Sequence, residues 1–143
     1  MAPLVGPFLA AGLFPSPSHG MPLLVDRQCQ RAESTEASYQ VDNYYRLLVA
    51  GGKTYWLSLA RYIDGSGIFC LSGGDFQDPR RLASSELQDQ FISEINQKGQ
   101  PNIFEVTVAH GNGLKVPMTM YRLDLGNPGK PVLSKIKEWV ETR

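Results

Sequence analysis

The sequence predicts an α+β domain, with a single antiparallel sheet of about five strands in the order β-β-β-α-β-β-α and two helices packed on one face. Three observations predict it. Aromatic and aliphatic runs are separated by Gly51-Gly52 and by Asn112-Gly113, residue pairs that permit the positive φ of tight hairpin turns. Two other stretches, Leu87, Phe91, Ile92 and Ile95, then Val132, Leu133, Ile136, Trp139 and Val140, repeat their apolar residues at helical spacing. The strand–helix–strand alternation of a parallel sheet is missing.

The elements follow in order. Tyr44 to Ala50 and Lys53 to Tyr62 read as a hairpin around the glycine pair. Alternation puts Tyr45, Leu47 and Val49 on one face, matched by Tyr55, Leu57 and Leu59. Asp64-Gly65-Ser66-Gly67 is a turn, and Ile68 to Ser72 a third strand. Ser85 with Gln88 three residues later forms a capping-box pattern ahead of the first helix, which Lys98 and Gly99 close. Ile103 to Ala109 and Leu114 to Leu125 read as a second hairpin. Pro117 cannot donate to a ladder, which predicts an edge strand or a bulge there. Pro131 suits the first turn of the last helix.

Ahead of this domain lies a different composition. The chain has 143 residues, with 14 basic and 14 acidic side chains. None of these charges precedes Asp26, whereas Pro3, Pro7, Pro15, Pro17 and Pro22 all do. Residues 4 to 14 are an apolar run, shorter than the roughly 20 residues a membrane helix needs. Its length and the small residues around His19 fit a secretory signal; the absence of Lys or Arg at the start does not. The divisions expected are an apolar leader over 1–20, a polar linker over 21–38 and one domain over 39–143. A cleaved leader implies a periplasmic or secreted protein; a mobile tail, or synthesis starting at Met21, implies a cytoplasmic one. The two cysteines, Cys29 and Cys70, lack Cys-x-x-Cys spacing. In an exported protein they pair as one disulfide; in a cytosolic one they remain free thiols.

Neutral net charge excludes a dedicated duplex nucleic-acid binder. Gly51-Gly52-Lys53-Thr54 lacks the first glycine of a phosphate-binding loop and feeds a strand rather than a helix. The turn at Asp64 lacks the spacing of a calcium loop. The residues offer neither a catalytic set nor a metal-ligand or cofactor pattern, so the reading is of a binding module rather than an enzyme. Tyr44, Trp56 and Tyr62 share the face opposite the core, with Arg46 beside them. Aromatic residues and arginine are enriched at binding hot spots. With the basic pair Arg80 and Arg81, these residues are the candidate surface for another protein. Two alternatives remain: a small-ligand pocket or weak hydrolase using His110 and Arg80, and a stacking platform for single-stranded nucleic acid.

Overall fold

The computed structural model describes residues 22–33, 38–48 and 52–143, and the expected leader lies outside them. The strands are β1 (Leu24–Val25), β2 (Tyr39–Leu48), β3 (Thr54–Arg61), β4 (Gly67–Gly73), β5 (Gln77–Arg81), β6 (Phe91–Gln97), β7 (Ile103–Ala109), β8 (Lys115–Asp124) and β9 (Val132–Thr142). They form two antiparallel sheets, β1-β2-β3-β4-β5 and β6-β7-β8-β9, each in sequence order. Gln90, just ahead of β6, exchanges backbone hydrogen bonds of 2.8 and 3.3 Å with Gly67 at the start of β4. The sheets join at that corner and curl into a half-barrel.

The α+β expectation is therefore corrected. No α-helix occurs among the described residues, only short 3-10 turns at Gly74–Phe76 and Ser85–Leu87. Bulges explain why helical spacing misled. In β6 the pairing slips between Ile92 and Glu94, so Ser93 is the extra residue. An extra residue shifts side-chain parity by one. Ile92 and Ile95 thereby share the core face, opposite Val108 and Val106, although they are three apart. In β9 the slip falls at Ile136 and does the reverse. Leu133 packs into the main core while Trp139 packs on the other face against Met118. Apolar residues on both faces of a bulged strand imitate a helical stripe.

The capping box is also absent. No side-chain cap bond forms at the Ser85–Leu87 turn. The Gln88 side chain is instead buried against backbone. Its Oε1 accepts from the Phe69 N–H at 2.7 Å, and its Nε2 donates to the Phe69 and Leu82 carbonyls at 2.9 Å each. It fills the break in the ladder between β5 and the Gln90 bridge, where backbone groups would otherwise go unpaired. Pro117 is tolerated for a different reason from the one expected. β8 is an inner strand, between β7 and β9. The Pro117 carbonyl accepts from His110, one residue past the end of β7, so the missing N–H falls beyond the ladder.

The hairpin parity holds where it is described. Leu47, Leu57 and Leu59 of the first sheet meet Phe104, Val106, Val108 and Leu123 of the second in one core. Each such buried side chain stabilises the fold by roughly 2 kcal/mol. Val49 lies outside the described residues. Part of the stretch expected as a linker is among the described residues. Its residues 22–33 supply β1 and then lie as a strap across the outer face of the first sheet. Val25 and Cys29 are fully buried there against Ala60, Ile68 and Cys70.

Candidate functional site

The strap is held by a disulfide, by ion pairs and by side-chain hydrogen bonds to backbone carbonyls. Cys29 and Cys70 form a disulfide, with Cα atoms 5.8 Å apart. Arg27 pairs with Asp89 at 3.1 Å, and Arg81 reaches the same carboxylate at 3.6 Å. The Arg81 guanidinium also donates to the Arg27 carbonyl at 2.6 Å. Gln30 donates to the Pro79 carbonyl and Arg31 to the Asp75 carbonyl, both at 2.9 Å. The exposed ion pairs add little singly, so the covalent link and the buried residues dominate.

The strap covers one half of the outer face. Over the other half it leaves a groove of about 820 Å³. Tyr44 and Trp56 form its floor, Leu23 and Leu24 one wall, and Arg31 and Phe76 another. Tyr44 is 40% exposed and meets Trp56 edge to face, ring centroids 6.5 Å apart. Burial pushes the Tyr44 phenol above its usual value near 10, with nearby Arg31 acting in the opposite direction. It is therefore a neutral hydroxyl at physiological pH, able to donate or accept. The Arg31 guanidinium sits 5.6 Å from the Phe76 ring centroid. Asp75 and Phe76 are both left-handed, with φ of 54° and 55°. That conformation costs a bulky residue roughly 1 kcal/mol, and such strain concentrates at binding sites.

The sequence-derived candidates separate. Tyr44 and Trp56 come together in the groove. Arg46 lies on the same outer face, directly across from Trp56. Tyr62 is on the strap-covered half, packed at 5.2 Å on Tyr39. Arg80 reaches over the Tyr55 ring at 5.9 Å. Arg81 belongs to the latch on the strap. His110 is on the second sheet, its ring nitrogen 2.9 Å from the Thr119 hydroxyl. Sequence reasoning missed Leu23, Leu24, Arg31 and Phe76. The signal for them was the cysteine pair: once Cys29 is tied to Cys70, its neighbours must lie on the face where Cys70 sits.

No known family, curated protein or solved structure matches this chain. Among the described residues, no helix is long and apolar enough to cross a membrane and no cluster of side chains could hold a metal ion.

Proposed function

We propose that this chain is a small exported binding domain whose partner is another protein, gripped in the groove over Tyr44 and Trp56. The groove is the observation that carries the reading. It offers two aromatic rings on a rigid sheet, walled by apolar strap residues, with Arg31, Glu33 and Asp75 also lining it. Aromatic anchors in a concave, partly desolvated site are what dominate protein interfaces. The disulfide supports the compartment, since such bonds persist where the surroundings are oxidising. The chain acts by binding rather than by catalysis.

A photo-crosslinking residue placed at Trp56 in the native cell tests this. A discrete protein adduct is expected from Trp56, and none from the same residue placed at Ile63, which is 93% exposed on the turn after β3 and does not line the groove. The Tyr44→Ala variant should lose a co-purifying partner while keeping its unfolding midpoint. Equal adducts from both sites would defeat the proposal.

A further inference from the structure

We infer that the partner binds as an added β-strand along the edge of β2 away from β3, and that this strand carries an acidic residue followed two positions later by a large apolar one. The inference rests on the groove reading above and adds the mode of recognition.

The backbone hydrogen bonds of β2 point to it. On the edge away from β3, the Val41 N–H donates to the Leu23 carbonyl at 3.0 Å. At the far end, the Leu48 N–H donates to Asn102 Oδ1 at 2.9 Å, and Asn102 Nδ2 returns a bond to the Leu48 carbonyl at 2.6 Å. The Asn102 amide thus imitates a neighbouring strand. Along a regular strand, alternate residues share both a face and a hydrogen-bonding edge. Tyr44 and Arg46 therefore present their backbone N–H and C=O groups to the same edge as Leu48. Among the described residues no strand pairs with them there. The gap from Val41 to Leu48 spans roughly 20 Å, room for a short extended segment. Unpaired edges of this kind are templates for strand addition.

The side chains give the partner its chemistry. β1 runs antiparallel to β2, with Leu24 opposite Gln40 and Val25 opposite Tyr39. A strand added in the same direction meets Arg46 first and Tyr44 two residues later. Directly opposed residues lie on one face, so both of its side chains project onto the outer face above the groove. Arg46 is exposed and has no carboxylate partner among the described residues. It selects an acidic residue by charge complementarity. The next same-face residue lies against Tyr44 and Trp56, which select a large apolar side chain.

The test titrates the oxidised full-length chain with the peptide Ser-Val-Glu-Thr-Phe-Thr-Val. Hydrogen exchange at the Tyr44 and Arg46 amides should be fast in the free protein and slow at least roughly tenfold on binding. N-methylation of the Glu and Phe amides should weaken binding roughly tenfold or more, because those N–H groups face β2. N-methylation of the intervening Thr, which faces away, should change it less than roughly twofold. Arg46→Glu should weaken this peptide and favour one with Lys in place of Glu. No binding at millimolar peptide, or indifference to all methylation, overturns the inference. So does slow exchange at these two amides in the free chain, which would mean that the edge is already filled; concentration dependence then separates a second copy from the chain's own segment. If methylation has no effect while Trp56→Ala abolishes the cellular adduct formed from a second photo-crosslinking position at Leu24, the groove reading stands and strand addition alone fails.

Discussion

At one end of the outer face of the first sheet, Tyr39 and Tyr62 lie tilted against each other beneath the strap; at the other, Tyr44 and Trp56 meet edge to face in an open groove. The bulge in β2 between Val41 and Asn43 brings Tyr39 and Tyr44 onto this face although they are five residues apart, and both halves present a pair of aromatic rings on it. What separates them is the twelve-residue strap at 22–33, fixed to β4 by the disulfide. Where it passes, aromatics become core. Where it stops, they become surface. Whether an aromatic on this outer sheet face is covered or exposed is thus decided by a segment distant in sequence.

Breaking the strap erases the difference and gives the largest effect. The linked cysteines are 41 residues apart, and reducing the bond should cost about 4 kcal/mol in the chain-entropy model. Urea unfolding with and without reductant measures it; an unchanged midpoint would show that the strap is held without the bond. Next, Tyr62→Ala should cost about 2 kcal/mol and Trp56→Ala about 1 kcal/mol, since Tyr62 packs against a covered cluster and Trp56 against a groove. Equal losses would erase the distinction between the halves. Asn102→Ala should also cost about 1 kcal/mol, and should speed amide exchange at Leu48 before other sites. Ser58→Ala sits at the bottom of the scale. Ser58 is fully buried between Tyr44 and Cys70 across the strands, and its hydroxyl has no partner among the described residues. The change should fall within about 0.5 kcal/mol of wild type or stabilise. A loss above about 2 kcal/mol would mean that the hydroxyl is satisfied after all.

The hairpins were legible because glycine turns and strict alternation are local signals. Ile103–Ala109 has the same ends in the sequence pattern and in the structure, and Tyr45, Leu47, Leu57 and Leu59 lie on the core face that alternation assigns them. The second sheet was half lost because Ser93 and Ile136 are bulge residues, and a bulge converts period two into something close to a helical period. β1 and β5 were invisible for another reason. Leu24–Val25 is too short to show any period, and Gln77–Arg81 contains a proline and four polar residues. Of the site, Tyr44 and Trp56 followed from parity. The groove walls did not, because they depend on where the strap crosses the sheet.

Nearly every strand here pairs with its neighbour in sequence, so the sheets can zip progressively as the chain emerges. The sulfur atoms are the exception. Cys29 and Cys70 join segments 41 residues apart, and the aligned strands β2, β3 and β4 hold them side by side. By linkage, whatever the bond adds to the stability of the sheet, the aligned sheet adds to the stability of the bond. Unfolding therefore makes the crosslink easier to reduce, and reduction makes the first sheet easier to unfold.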